Sequence, residues 1–302
     1  MNDYLYDIIK SLNIELYGTC SPSVSQDYIN RVNNNMNKRY HCSFIKDDFL
    51  STMNPKLYLE NCKGIISIAL PYHQNNLKLN KDQTTFTSSS WGRDYHYVVK
   101  EYLNKIIELL KVKYPNESFI SLVDNHTLDE RYYAYKSNIG FYGGHGLITN
   151  YKYGSNIFLG LILTSYKFND QIITTNNCPD LKRYIQACPN NAITKDGINY
   201  NKCLSFITQK KDLTSLESKL IKDLAYGCDI CSKVCSFNLI DYGLKEFDYD
   251  DKILFDINSL FEYSNSTFKQ EFGKYAGSWR GKKIIARNIE LIAINRKIKD
   301  ES

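Results

Sequence analysis

Six of the nine cysteines in this chain of 302 residues stand at positions 178, 188, 203, 228, 231 and 235; Cys20, Cys42 and Cys62 lie apart, in the first fifth. Thiols crowded in this way point to disulfides or to metal, and the compartment decides which. The start, Met1-Asn2-Asp3-Tyr4, lacks the positive and apolar regions of a secretory signal. The longest apolar runs, Ile65–Leu70 and Ile157–Thr164, have the length of strands and fall far short of a membrane span. A cytoplasmic location is therefore expected, where thiols stay reduced and such clustering argues for metal.

The spacing narrows the choice of metal. Cys228-Asp-Ile-Cys231-Ser-Lys-Val-Cys235 is C-x2-C-x3-C, and upstream lie Cys188-Pro189-Asn-Asn-Ala-Ile and then Cys203. Bacterial ferredoxins use C-x2-C-x2-C-x3-C-P runs, in which the fourth cysteine of each run serves the other cluster. A C-x2-C element puts two thiolates on one tight turn, which suits the corner irons of a cubane. Zinc and buried, unliganded thiols are the alternatives, but zinc would be expected to use two such pairs. The pattern points to one [4Fe–4S] cluster on Cys188, Cys203, Cys228 and Cys231. A second cluster would need Cys178, Cys235 and thiolates at 181 and 184. Those positions hold Leu181 and Tyr184, so a second cluster is expected to be absent.

The rest of the chain reads as a layered fold. Leu5, Ile8, Ile9 and Leu12 share one face of a helix over 3–12. Strands are expected at Ile14–Tyr17, ended by Gly18, at Gly64–Leu70, at Phe119–Val123 and at Ile157–Thr164. A long helix is expected from Asp94 to Tyr114. Another is expected near Thr127, where Thr-Leu-Asp-Glu has capping-box spacing. Gly140, Gly143, Gly144 and Gly146 form an irregular loop without P-loop or dinucleotide spacing, so tight turns around a large flat cofactor suit them better than a phosphate. From Asn169 the character changes to short helices and turns, and helix returns over Leu260–Ile294. An α+β fold with a boundary near residue 168 follows, the first part a layered α/β unit.

Several polar residues carry two readings. Asp124 ends a strand before a helix, where a turn aspartate is common; it is also where layered folds place acids, and a desolvated aspartic acid holds a proton near neutrality. Arg93, Asp94, Tyr95 and His96 open the long helix, with Asp94 as its cap. His126 and His145 are read as solvated loop histidines, with the open face of a metal cofactor as the alternative. Arg280, Lys282, Lys283 and Arg287 give the last helix a basic face. A solvated face is the default, and a nucleic-acid backbone is the alternative that the net charge of +5 permits.

Six stretches carry a family resemblance: Ile66-Ser-Ile-Ala-Leu-Pro-Tyr72; Trp91-Gly-Arg-Asp-Tyr-His96; Val123-Asp124 followed by Glu130-Arg131; Gly140-Phe-Tyr-Gly143; Tyr153-Gly-Ser155 with Phe158-Leu-Gly160; and Arg287-Asn288. In these, and in the cysteine spacing apart from 181 and 184, nearly the whole chain resembles the epoxyqueuosine reductases, cobalamin and iron–sulfur enzymes of the last step of queuosine formation in transfer RNA. The resemblance implies a cobalamin-binding, nitroreductase-like domain over 1–168 and a ferredoxin-like iron–sulfur domain with C-terminal helices over 169–302. It implies electrons passing from iron–sulfur to base-off cobalamin, whose reduced cobalt acts on the epoxide, with Asp124 as proton donor. It implies corrinoid contacts at Trp91, Arg93, Tyr95, Asn150, Ser155 and Ser205, a tRNA substrate, a flavodoxin- or ferredoxin-type electron donor and a monomer. The chain departs from the pattern in places. The family's Asp-Thr-Gly-Pro is Asp124-Asn-His-Thr127 here, and Gly144 stands where lysine is usual. A single-cluster electron-transfer or corrinoid-handling protein that does not act on tRNA is the other reading.

Overall fold

The computed structural model describes residues 1–45, 48–74, 77–170, 172–173, 178–257 and 263–300. Its main sheet has four antiparallel strands: β1 (Leu16–Cys20), β2 (Gly64–Pro71), β3 (Phe119–Leu122) and β4 (Ile157–Thr164), in the order β1-β2-β4-β3. Ile66 of β2 pairs with Thr19 on one side and Ile162 on the other. All eight residues of β2 are buried, because helices cover both faces, and this is why its sequence is an apolar run interrupted by Ser67 alone.

Helix α1 (Asn2–Ser11) and helix α2 (Tyr95–Lys113) lie on one face. Leu5, Ile8 and Ile9 of α1 pack with Val98, Val99, Leu103 and Ile106 of α2 and with Ile66, Ile68 and Ile162 of the sheet. Each such side chain, fully buried, contributes about 1.5–3 kcal/mol. A Cβ at Gly160 of β4 would sit 2.5 Å from Val99 Cγ1, so the close approach of α2 to the sheet requires glycine there. Helix α3 (Glu130–Lys136) and the helix Gln26–Asn37 cover the opposite face through Tyr28, Tyr132 and Tyr133.

The second part of the chain is built of short pieces. Helix α4 (Leu181–Ala187) leads into the hairpin Ile193–Thr194 and Gly197–Ile198. The last helix, α5 (Lys282–Asp300), lays Ile285 and Ile289 against Phe86, Trp91 and Phe272. Strand Gln83–Phe86 pairs in parallel with Leu224–Tyr226 and antiparallel with Phe255–Asp256. Residues 83–91 thus belong, by packing, with the C-terminal third.

Three expectations change. The helix after Asp124 begins at Glu130 and not near Thr127: Asp129 is the cap, accepting from the Arg131 amide at 3.1 Å, while Thr127 is bonded to Tyr58 and Thr52. Strand β1 runs through Gly18 to Cys20, paired with β2 as far as Cys20 and Ile65, and Gly18 is needed because it faces Ser137 too closely for any side chain. The basic helix face is partly committed inward: Arg287 donates to the Lys210 and Lys211 carbonyls at 2.7 and 2.8 Å, and Lys282 donates to the Tyr263 carbonyl. Of the returning helix, Leu260 lies outside the described residues. Among the described residues no helix is long and apolar enough to cross a membrane.

Candidate functional site

Four short elements bring the predicted ligands together. Cys188 ends α4, Cys203 caps the helix Leu204–Ile207, and Cys228 and Cys231 flank the start of the helix Ile230–Lys233. Burial pushes the Cys228 thiol up to about 12, and Cys203, Asp229 and Cys188 push the same way. Burial raises Cys231 as well, with Cys228, Cys203 and Cys188 adding to it. The four sulfurs therefore share one neighbourhood, where ionised thiolates would repel unless a cationic core lay between them. Backbone N–H groups are turned toward them. Ala192 donates to Cys188 Sγ at 3.3 Å. The amides of Ser205 and Phe206 oppose the effect of burial at Cys203, as Ile230 does at Cys228 and Ser232 at Cys231. Soft thiolates with amide donors to sulfur fit an iron–sulfur cluster. Among the described residues no three His, Cys, Asp or Glu side chains close on a single metal ion.

The other two cysteines have a different setting. Tyr184 is fully buried, with Cys178 Sγ 3.9 Å from its hydroxyl and Cys235 flanking the same hydroxyl. Leu181, Ile193 and Phe237 pack around them. The His145 ring stacks on Tyr184 at 4.5 Å and 21°. A Cβ at Gly144 would meet Tyr184 at 2.7 Å and Leu181 at 3.1 Å. The missing ligands and the glycine at 144 are thus one structural fact: the tyrosine and leucine fill the space that any side chain at 144 would enter.

Asp124 stands just past β3 with a left-handed backbone, φ 50°. The turn is held from behind, because the Asp124 amide donates to Glu130 Oε1 at 3.0 Å. Burial raises the Glu130 carboxyl. His126 Nε2 lies 3.3 Å from the same carboxylate oxygen, and His126 Nδ1 accepts from the Leu128 amide, so Nε2 carries the proton. The Asp124 side chain is about half exposed, and its Oδ2 accepts from the Tyr95 hydroxyl at 2.9 Å and from His96 Nε2 at 3.1 Å. His96 Nδ1 lies 2.7 Å from Asp94 Oδ1. Both ring nitrogens face carboxylates, so the ring is an imidazolium. Burial alone would pull His96 down, but Asp124 and Asp94 outweigh it and hold it at about 9. The His96 bond, against burial, in turn keeps Asp124 below the usual carboxylate range. The expected desolvated acid is therefore an ionised carboxylate whose proton sits on the neighbouring imidazole.

The remaining expectations fall in different places. Tyr95 stacks between Phe158, at 4.5 Å, and His96, at 4.1 Å. Trp91 is 3% exposed, its indole N–H bound to the Phe86 carbonyl at 2.9 Å. Arg93 forms an ion pair with Glu101 further along α2. Asn150 accepts from the amides of Lys152 and Tyr153 in a tight turn. The Ser155 amide donates to Asn238 Oδ1 at 2.6 Å, and the Ser205 carbonyl accepts from Gln209. His126 and His145 are not solvated: the His126 side chain is 2% exposed, and His145 is 6% exposed with burial pulling it down to about 4. Sequence reasoning missed a partly buried network of neutral groups where the two parts of the chain meet. Asn156 Nδ2 donates to Gln74 Oε1 at 2.9 Å, Ser232 Oγ to Asn156 Oδ1 at 2.9 Å, and Asn238 Nδ2 to the Ser232 carbonyl at 2.8 Å. Scattered Asn, Gln and Ser carry no spacing that would have signalled it.

Fold and site define an α+β protein with an iron–sulfur binding domain. Residues 53–125 match the family model described as epoxyqueuosine reductase QueG, DUF1730, and residues 177–238 match a 4Fe-4S double cluster binding domain. The epoxyqueuosine reductase of Bacillus subtilis (strain 168) is 32% identical over 298 residues, covering 95% of this chain and 77% of that protein. A crystal structure of epoxyqueuosine reductase with an epoxyqueuosine-modified tRNA stem loop superposes with a TM-score of 0.91 at 30% identity, over 98% of this chain and 81% of the other. The Bacillus subtilis enzyme solved with its catalytic aspartate loop swung out of the active site gives 0.90 at 29% identity, over 98% and 82%. The chain belongs to the epoxyqueuosine reductase family.

Proposed function

We propose that this chain reduces epoxyqueuosine to queuosine in tRNA, an oxidoreductase reaction using one [4Fe–4S] cluster and cobalamin. Two electrons and two protons enter, both epoxide C–O bonds break, and the oxygen leaves as water. The observation that carries the reading is the Asp94–His96–Asp124 chain of 2.7 and 3.1 Å contacts, in a fold shared with a relative solved on that substrate.

Cys188, Cys203, Cys228 and Cys231 are the proposed cluster ligands, and an external donor of flavodoxin or ferredoxin type supplies the electrons. Residues 1–168 form the cobalamin-binding, nitroreductase-like part and 169–302 the ferredoxin-like part, with 83–91 packed against the latter. The neutral network of Gln74, Ser155, Asn156, Ser232 and Asn238 fits the carboxamide rim of a corrinoid. Ser155 is the contact favoured there, with Asn150 behind it. Both nitrogens of His96 and of His126 are engaged, so neither of these two rings is the ligand to cobalt. When bound, the corrinoid supplies the low-potential electrons that open the epoxide.

Asp124 directs a proton to the leaving oxygen, and His96 holds the next one. Tyr95 fixes the Asp124 carboxylate, and the Glu130 bond fixes its backbone. A positioned acid contributes on the order of a hundred- to ten-thousandfold. Asp124→Asn, reconstituted without oxygen with iron, sulfide and cobalamin, is expected to keep both cofactors by absorption and lose turnover by that factor. Equal turnover would remove Asp124 from the mechanism.

A further inference from the structure

Two of the largest exposed aromatic side chains stand together. Phe44 is 49% and Trp279 55% exposed, with ring centroids 5.9 Å apart at 63°. Phe44 rests edge-on against Phe206, at 5.0 Å and 83°. The three rings come from segments far apart in sequence, so the grouping is a product of the fold.

The arrangement is rigid and cationic. Trp279 Nε1 donates to Gln209 Oε1 and to the Tyr226 hydroxyl, both at 3.1 Å, which fixes the indole as a plate. The Arg280 guanidinium lies 4.8 Å from the Trp279 ring centroid. Arg280 Nε is buried and has no hydrogen-bond partner among the described residues. A fixed indole under a cation, with a partner-seeking N–H beside it, is a ready acceptor for a flat π-system attached to an anion.

The plate adjoins the proton-handling group. The Tyr226 hydroxyl that accepts from Trp279 Nε1 at 3.1 Å is raised by burial to about 12, lowered by that bond, raised by the charges of Asp124 and Asp94 and lowered by that of Arg280. A ligand on the plate therefore lies within the electrostatic reach of Asp124. Bases within a duplex are stacked and closed to such a surface, whereas unpaired loop bases stack on aromatic side chains and arginine planes.

We propose that Trp279, Phe44 and Arg280 form a stacking platform for an unpaired base of the RNA substrate, seating the loop so that the modified nucleotide reaches Asp124. This rests on the reading of the chain as a tRNA-acting reductase. The alternative occupant of the same plate is the corrinoid, and the test separates the two.

Holoprotein and the variants Trp279→Ala, Trp279→Phe, Phe44→Ser and Arg280→Gln are compared by fluorescence anisotropy with a labelled, unmodified anticodon stem-loop at fixed salt, alongside iron content and corrinoid absorption. Loss of one stacked base weakens binding by on the order of ten- to a hundredfold. That is the loss expected for Trp279→Ala, with most of it recovered in Trp279→Phe and a smaller loss in Phe44→Ser and Arg280→Gln, cofactor content being unchanged in all four. Phe44→Ser, in an exposed loop, keeps the test valid if Trp279→Ala misfolds. Unmodified affinity in Trp279→Ala and Phe44→Ser would overturn the platform. Loss of corrinoid with RNA affinity intact would assign the plate to the cofactor and overturn it too. Failure of the unmodified holoprotein itself to bind the stem-loop would instead defeat the tRNA reading on which the proposal rests.

Discussion

A histidine with a carboxylate at each ring nitrogen keeps its proton well above neutral pH. His96 is held at about 9 and Asp124 below the usual carboxylate range. At neutral pH the pair is imidazolium and carboxylate, so in the proposed mechanism the histidine is the proton store. Turnover is expected to fall as pH rises through about 9, because the folded-state His96 then loses its proton. The same sign governs stability: a pKa raised on folding stabilises fully below the ordinary value of about 6.5 and loses that contribution as pH climbs through the raised one. His96→Gln should abolish the alkaline limb of the rate profile while leaving cofactor binding intact; an unchanged limb would show that another group sets it. The sequence showed Asp94 as a cap and Asp124 as a strand-end acid. It could not show that His96 joins them, since that contact spans 28 positions and depends on how β3 lies beside α2.

Among the elements, the cysteine spacing was the most legible feature, because a turn that presents two thiolates must be written locally as C-x2-C. What fills the place of the second cluster was not legible. Leu181 and Tyr184 signalled only absent ligands, and their link to Gly144 and His145 appears in packing alone. With Cys178 and Cys235 still flanking the Tyr184 hydroxyl, the double variant Leu181→Cys/Tyr184→Cys should raise iron from about four to about eight per chain after reconstitution. Iron staying near four would mean that the surrounding packing no longer admits a cubane, and eight in the unmodified chain would refute the single cluster. The Arg287-Asn288 pair, read in the sequence only as a family mark and part of a basic face, proves to be a brace. Asn288 is fully buried, and its Nδ2 donates to the Thr208 and Ala225 carbonyls at 2.7 Å each. Asn288→Leu leaves buried carbonyls unpaired, at a cost of about 1–3 kcal/mol. This should appear as a lower urea midpoint at unchanged slope; an unchanged midpoint would contradict the brace.

For the whole molecule, the α+β class and the positions of the main strands along the chain followed from apolar runs and turn residues, whereas their order in the sheet did not. The simple division at residue 168 did not foresee the strap at 83–91, because Gln83-Thr-Thr-Phe86 is too short and too polar to announce a strand that pairs across the chain. That strap ties the part bearing Asp124 to the part bearing the four cysteines. The proposed electron supply and the proposed proton supply thus meet in one folded unit, which is what a reductive removal of oxygen requires. The most direct test of this account is anaerobic incubation of the reconstituted protein and a chemical reductant with epoxyqueuosine-containing tRNA, followed by mass spectrometry of the nucleosides. The account requires epoxyqueuosine to be replaced by a nucleoside lighter by one oxygen, dependent on both cobalamin and the four cluster cysteines. Epoxyqueuosine recovered unchanged by protein carrying its full iron and cobalamin would contradict it and leave an electron-transfer or corrinoid-handling protein in its place.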